Sequence, residues 1–377
     1  MTKARSNASS PNALGDLVVG TGTGTASVLS IGADGSVPVA NSSATTGVNW
    51  AGPLFAAGKN KVMNGDFSIW QRGTSFSDVA GGPAIADRWT VYAPGGSPAA
   101  SVSRQTFTPG TAPVAGYEGQ YYCRVATGSG TTYFQIWQPI ENVQTFAGQT
   151  VTVSFWAKAS SSIVVRPLFQ QVFGSSGSTG VTTLGTNHTL TTSWTRYTQT
   201  VSIPSIAGKT IDTSGTNNQY LQFFIEHVSG TITSNNIDFW GIQVEAGSVA
   251  TPFVTLTGNP ASELAACQRY YWRQTASGSY SNLNGTGFEV GTTSAQMSHY
   301  PPVTMRVKPI SVEYSNIKIS DAASSYAITS LALDSNNTTG LYFATNATIS
   351  GGTAHRPCMI QANNNSSAYI AFYADMS

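Results

Sequence analysis

The chain of 377 residues is long enough for two or three domains, and its 40% hydrophobic share allows packed cores. Charged residues make up only 9% and the net charge is +1, which excludes the basic field that a nucleic-acid-binding surface needs. Three widely separated cysteines, Cys123, Cys267 and Cys358, argue against a disulfide framework or a clustered zinc site and read as buried free thiols.

The first residues, M1-T-K-A-R-S-N7, lack the apolar core of a secretory signal. No apolar run approaches the ~20 residues of a membrane helix. The expectation is a protein made in a cytoplasm, without membrane insertion, and released by lysis. The sequons at Asn187 and Asn346 then carry no sugar.

Residues 1–13 are polar and read as flexible. Short apolar pieces follow at 17–19, 28–31, 37–39 and 48–50, separated by Gly, Asp, Asn and Thr. Strands this short cannot supply a core of their own. Residues 1–60 therefore read as an oligomerising attachment segment, with identical copies as its simplest partner. G20-T-G-T-G24 has no helix after it and is a turn, not a phosphate cradle.

From residue 61 the pattern becomes strand-like. V62-M-N-G-D-F-S-I-W-Q-R-G73 reads as a strand entry with an Asn-Gly turn. Alternating runs follow at 86–92, 121–126, 133–138, 150–157, 163–169, 194–203, 220–226 and 237–245. In 150–157, Val151, Val153, Phe155 and Ala157 share one face, and Thr152, Ser154 and Trp156 share the other. Strands at this spacing with no long helix between them predict an antiparallel jelly-roll sandwich over 61–257. The fold class is all-β: a short-stranded oligomerisation segment, a central jelly-roll β-sandwich and a C-terminal β-sandwich over 258–377. That last domain shows runs at 297–306, 310–314, 327–333, 340–343, 358–362 and 369–373.

One stretch breaks the pattern. Asn259-Pro260 is a helix start, Asn as cap and Pro at the first helical position, and Glu263 suits the positive end of the helix dipole. From Cys267 the run alternates, Arg269, Tyr271 and Arg273 on one side and Tyr270 and Trp272 on the other. A short helix running into a strand between two sandwiches is a joint. A nucleophilic Cys267 would need a histidine, and His188, His227, His299 and His355 lie in four different segments.

N64-G-D-F-S-I-W-Q-R-G73, A86-D-R-W89, L221-Q-F-F224, I237-D-F-W-G-I-Q-V-E245 and E263-L-A-A-C-Q-R-Y-Y271 resemble tail-fibre and receptor-binding proteins of tailed bacteriophages. T46-G-V-N-W-A51 and Y369-I-A-F-Y-A-D375 fit the same pattern. V151-T-V-S-F-W-A-K158 and W194-T-R-Y-T198 also give the central domain the look of jelly-roll carbohydrate-binding modules. The resemblance implies a trimeric virion fibre, joined to a phage tail or baseplate protein through its N-terminal segment, whose domains bind host cell-surface polysaccharide without catalysis. Residues 258–377 would be the receptor-binding tip. It also implies a structural calcium ion near the first and last jelly-roll strands, where Asp66 and Asp238 match, with Glu118 nearby in pattern. Two alternatives stay open: a capsid decoration or head fibre, and a polysaccharide depolymerase.

Sugar binding needs flat aromatic faces beside planar polar groups. Tyr133, Gln135 and Trp137 share a face of one predicted strand, with Gln138 next to them and Trp156, Gln170 and Gln171 on neighbouring strands. The competing reading of that face is a trimer interface or a core. Trp70, Arg72, Asp87, Arg88 and Trp89 read as a structural clamp, with Arg72 and Asp87 as a candidate pair. G174-S-S-G-S-T-G180 reads as a mobile rim loop. Hydrolysis would need two facing carboxylates; Asp212 with Glu226, or Glu141 with Glu245, are nameable, but no motif joins either pair.

Overall fold

A computed structural model describes residues 11, 13–32, 36–42, 44–51, 58–114, 117–213, 218–228, 230–337 and 339–375. Every strand pairing among them is antiparallel. The flexible start expected over residues 1–13 lies almost wholly outside the described residues.

The N-terminal segment forms two hairpins, β1 (Leu17–Gly22) with β2 (Thr25–Leu29), and β3 (Val37–Ala40) with β4 (Val48–Ala51). Gly24, at φ +76°, makes the left-handed turn of the first. Asp16 accepts from the backbone of Ile31 at 3.0 Å, and the Trp50 indole donates to Ser30 at 2.6 Å, tying the hairpins together. Their apolar side chains stay in water: Leu14 is 97% exposed, Ile31 57% and Val18 48%. Among the described residues, none between 13 and 51 belongs to a buried hydrophobic cluster.

The central domain contains β5 (Ser75–Ser77), β6 (Thr90–Tyr92), β7 (Gly95–Ser97), β8 (Ser101–Thr106), β9 (Tyr121–Thr127), β10 (Ser129–Thr131) and β11 (Gln135–Ile140). It continues with β12 (Thr150–Ala159), β13 (Ile163–Phe173), β14 (Val181–Leu184), β15 (His188–Leu190), β16 (Thr195–Ser202), β17 (Gln219–His227) and β18 (Asn235–Ala246). These build two six-stranded sheets, β14-β13-β17-β11-β6 with β15 on β13, and β16-β12-β18-β9-β8-β5, while β7 and β10 form a small ribbon. The core between the sheets holds the apolar half of each alternating strand. Val151, Val153, Phe155 and Ala157 of β12 face Phe169, Leu221, Phe223 and Ile225 of the other sheet within one cluster. This is the predicted jelly-roll sandwich.

Residues 62–73 are not a strand. Asn64 and Phe67 have positive φ (53° and 54°), and the Asn64 side chain holds the loop closed. It accepts from Ile69 at 2.9 Å and donates to the Ile69 and Asp87 carbonyls at 2.9 and 3.1 Å. The Asn-Gly signal was a turn inside a longer hooked loop.

Next comes α1 (Pro260–Gln268), capped as expected: Asn259 Oδ1 accepts from Ala261 and Ser262 at 2.9 and 3.2 Å. The helix runs past Cys267, so alternation starts at Tyr271 and not at Cys267. Glu263 does more than face the dipole. Buried to 1% exposure, it accepts from Asn64 N at 2.7 Å and Thr257 N at 3.0 Å, fastening α1 to the hooked loop.

The C-terminal domain contains β19 (Tyr271–Thr275), β20 (Asn282–Gly291), β21 (Ser294–His299), β22 (Ser311–Ser315), β23 (Ile317–Ser320), β24 (Ser325–Ala327), β25 (Ser330–Leu333), β26 (Phe343–Thr348), β27 (Pro357–Ala362) and β28 (Tyr369–Tyr373). A three-stranded sheet, β19-β28-β22, packs on a seven-stranded one, β24-β23-β27-β20-β21-β26-β25, around a second core that includes Met297, Ile319, Phe343, Ile370 and Phe372. Glycine-rich β20 has no sequence signature of a strand. It needs its glycines because a Cβ at Gly287 would stand 1.8 Å from the Gln296 carbonyl oxygen.

His299 sits fully buried in this core against Phe343 and Phe372. Its Nδ1–H donates to Asn284 O at 2.9 Å, and Nε2 accepts from the Thr345 hydroxyl at 2.8 Å, which suits the neutral ring. Burial pushes its pKa down from 6.5 to about 4. Between those pH values the unfolded chain takes a proton that the folded chain refuses. The stability contributed by this group is therefore full above the unfolded value and is lost as pH falls through the folded one. The expected loss is roughly 3 kcal/mol. Denaturant midpoints of wild type and His299→Gln across this window check it: the wild type should fall more steeply, and parallel slopes would contradict the assignment.

Candidate functional site

The outer face of the β14-β13-β17-β11-β6 sheet follows from alternation. In β11, Ile136 points to the core and Gln135 and Trp137 point out; in β17, Leu221, Phe223 and Ile225 are buried while Tyr220, Gln222, Phe224 and Glu226 are half-exposed. Directly opposed residues of antiparallel strands share a face. Register therefore sets Tyr92, Gln135, Glu226 and Arg166 in one row, and Thr90, Trp137, Phe224 and Leu168 in the next. Gln222 lies beside Gln170 in a third row, with Thr182 beyond. Trp137 and Phe224 have ring centroids 6.0 Å apart. Rings alternate with amides along this partly exposed face.

One edge of this face is charged and ordered. Arg166 Nε and Nη2 donate to Glu226 at 3.1 and 2.5 Å, and the Tyr133 hydroxyl donates to Glu226 at 2.5 Å while lying 3.1 Å from Gln135 Oε1. Burial and the Glu226 hydrogen bond push the Tyr133 pKa up, so the phenol keeps its proton.

Of the sequence-derived sugar residues, Tyr133, Gln135, Trp137 and Gln170 come together here. Trp156 does not. It lies in β12 of the opposite sheet, between Arg196 and Trp240, and packs on the back of that sheet with Phe107, Trp240 and Phe253. Two strands can share a pattern and sit in different sheets. Gln138 and Gln171 point inward, Gln138 bonded to both N and O of Met63 (2.7 and 2.9 Å) and Gln171 to Pro204 O (2.9 Å). The 174–180 loop is tied down: Asp212 accepts from Ser176 N at 3.1 Å, and Ser178 N donates to Thr210 O at 2.9 Å.

Asp66 and Asp238 do not fit a calcium cage. Both Asp238 oxygens are taken by Arg124, at 2.7 and 2.8 Å, with Lys158 at 3.7 Å. Asp66 instead accepts from Ser68 at 3.0 Å and from the Tyr117 hydroxyl at 3.4 Å. Glu118 accepts from Gly110 N at 3.2 Å. Among the described residues no group of three or more His, Cys, Asp or Glu could hold a metal ion.

The clamp residues build the joint between the two sandwiches. The Arg72 guanidinium lies 3.5 Å from the Tyr271 ring centre and that of Arg88 3.6 Å from Tyr270. Arg88 also pairs with Asp375 and donates to Pro139 O at 2.5 Å. Trp89 donates to Asn64 O at 3.0 Å, and Trp70 to Phe67 O at 2.6 Å. Asp87 is bonded by Gln71, through its N–H at 2.7 Å and its amide at 2.5 Å, and not by Arg72. The same Gln71 amide reaches Tyr271 O at 2.8 Å. Burial raises Asp87 above the usual carboxylate range, against the pull of these bonds and of Arg72. Cys267 lies in this joint with its thiol pushed well up by burial, and Cys123 and Cys358 are likewise buried and free.

The sequence reasoning missed Tyr92, Phe224, Gln222 and Arg166. The signal was present: Tyr220, Gln222, Phe224 and Glu226 alternate with a wholly apolar inner set.

The chain matches no family model and no curated protein. Three solved structures show partial likeness. The enzymatically active domain of tailspike protein 4 from bacteriophage CBA120 has TM-score 0.32 and 12% identity over 50% of this chain, which spans only 22% of that one. The CBM22-2 xylan-binding domain of Paenibacillus barcinonensis Xyn10C has TM-score 0.30 and 14% identity, over 45% of this chain and 98% of that one. A Stig cyclase from Fischerella sp. has TM-score 0.33 and 14% identity, over 52% of this chain and 100% of that one. None of these scores is high enough to decide a shared fold or a ligand.

Proposed function

We propose that this chain is a non-catalytic glycan-binding virion protein, a trimeric tail fibre that adheres to host cell-surface polysaccharide through the outer face of its β11–β17–β13 sheet. The arrangement of Trp137 and Phe224 beside Gln135, Gln222 and Gln170 carries the reading. Ring faces stack on sugar C–H groups, and amides serve hydroxyls as donor and acceptor together. An open sheet face suits an extended chain better than a single small molecule.

The carboxylate on this face, Glu226, is committed to Arg166 and Tyr133. The other acids named from sequence have separate partners: Asp212 the Ser176 backbone, Glu141 the Tyr270 hydroxyl, and Glu245 the Thr251 backbone and hydroxyl. That supports adhesion over hydrolysis, which needs two carboxyl groups facing one bond. The exposed Leu14, Val18 and Ile31 of the N-terminal hairpins support packing against identical copies, with the tail or baseplate beyond them. Trimerisation would raise weak single-site affinity by avidity.

A glycan array probed with the purified full chain tests the proposal. Retention on neutral bacterial cell-surface polysaccharides, without release of reducing ends, is the expected result. Blank arrays with a correctly folded protein would count against adhesion, and released reducing sugar would move the protein to the depolymerases.

A further inference from the structure

The second sheet carries a different surface. On its outer side, a cavity of ≈ 180 Å³ is lined by Arg124, Lys158, Ser160, Thr192, Asn236 and Asp238. Two cations meet one carboxylate here, a local excess of one positive charge in a chain with 18 basic residues. Asp238 is buried to 2% exposure beneath them, and Arg124 and Lys158 keep 27% and 29%. Arg124 spends Nε and Nη2 on Asp238, which leaves the N–H groups of Nη1. The Lys158 ammonium, 3.7 Å from Asp238, also lies 5.2 Å from the Trp194 ring centre and 5.9 Å from that of Tyr122. Those two rings pack edge to face at 5.4 Å.

Each part has a chemical consequence. Asp238 fixes the two cations in place but neutralises only one of them. The remaining donors suit a second anion, and the planar guanidinium favours a carboxylate. The Thr192 hydroxyl and the Asn236 amide suit sugar hydroxyls around that anion, while Ser160 Oγ is held in the wall, donating to Asn235 Oδ1 and accepting from Asn236 N, each at 2.9 Å. We propose that this cavity binds the carboxylate of an acidic sugar, a hexuronate unit of a polysaccharide, with Lys158 and Arg124 on the carboxylate. The site lies on the sheet opposite to the Trp137 face, so one fibre would read two chemistries. This inference does not depend on the neutral-glycan reading.

The test is calorimetric titration of the full chain with trigalacturonate, with sodium acetate and maltotriose as separate probes. Saturable binding of trigalacturonate, weakened in about 0.5 M salt, is expected. Lys158→Met should weaken it about tenfold, the loss of one charge-assisted hydrogen bond. Lys158→Arg should restore it, and the distant Lys318→Met should leave it unchanged. Thr192→Val, a rim change that spares the charges, should weaken it less; thermal melts check that each variant is folded. The proposal is overturned if trigalacturonate fails to bind, if Lys158→Met binds it as the wild type does, or if acetate binds as tightly as trigalacturonate. Loss in Trp137→Ala with Lys158→Met intact would place the ligand on the other sheet and also overturn it.

Discussion

Replacing Arg88 with alanine is expected to destabilise the protein by about 3–5 kcal/mol, the usual consequence of breaking a buried ion pair from one side. Arg88 is 4% exposed and joins three parts of the chain: Asp375 after the last strand, the Pro139 carbonyl of β11, and the ring of Tyr270 after α1. Its backbone is left-handed, at φ 71°, so the side chain is aimed across the joint by a conformation that most residues avoid. Alanine removes the cation facing Asp375, the partner of a buried carbonyl and the stack on Tyr270 together. Arg88→Lys keeps the charge but loses the fork and the flat face, and should fall between alanine and wild type. Equilibrium denaturation reads both. A loss within about 1 kcal/mol for alanine would show that Arg88 is not a main tie across the joint, which Arg72 and Gln71 also span at Tyr271.

The second large effect is on binding. Trp137→Ala should weaken association with a neutral polysaccharide by about 2 kcal/mol, roughly thirtyfold, the cost of truncating a central aromatic anchor. Trp137 points out of the sheet, so the melting temperature should hardly move. Trp156→Ala should do the reverse. That ring is packed with Trp240 and Phe253 behind the opposite sheet, so its removal should lower stability and leave glycan affinity alone. Affinity electrophoresis in polysaccharide gels, run beside thermal melts, separates the two. Equal affinity for Trp137→Ala and wild type would remove Trp137 from the site.

These contrasts show what the sequence could reveal. Period-two alternation made β12, β13, β17 and β18 readable because each buries a mainly apolar set. It also put Gln135 and Trp137 on one face correctly, since the face of a residue within its own strand is a local property; Tyr133 precedes β11, and its hydroxyl reaches that face through Glu226 and Gln135. Which strands pair is not local. β11 meets β17 across more than eighty residues, and nothing in either strand names the other, so Trp156 was grouped with a sheet it does not join and Phe224 was left out. The joint was readable at α1, through Asn259 and Pro260, because capping is local chemistry. That Gln71 and not Arg72 bonds Asp87 was not readable: both neighbours can reach a carboxylate, and the hooked loop around Asn64 decides between them. β20 escaped because its glycines, which weaken a strand in isolation, are what allow its close approach to β21.

The central claim is that sugar lies on the outer face of the β11–β17–β13 sheet. A crystal structure of the full chain with a neutral oligosaccharide tests it most directly. The account predicts pyranose rings stacked on Trp137 and Phe224, with hydroxyls bonded to Gln135, Gln222 or Gln170. Oligosaccharide bound elsewhere on the chain, with those rings bare, would contradict it.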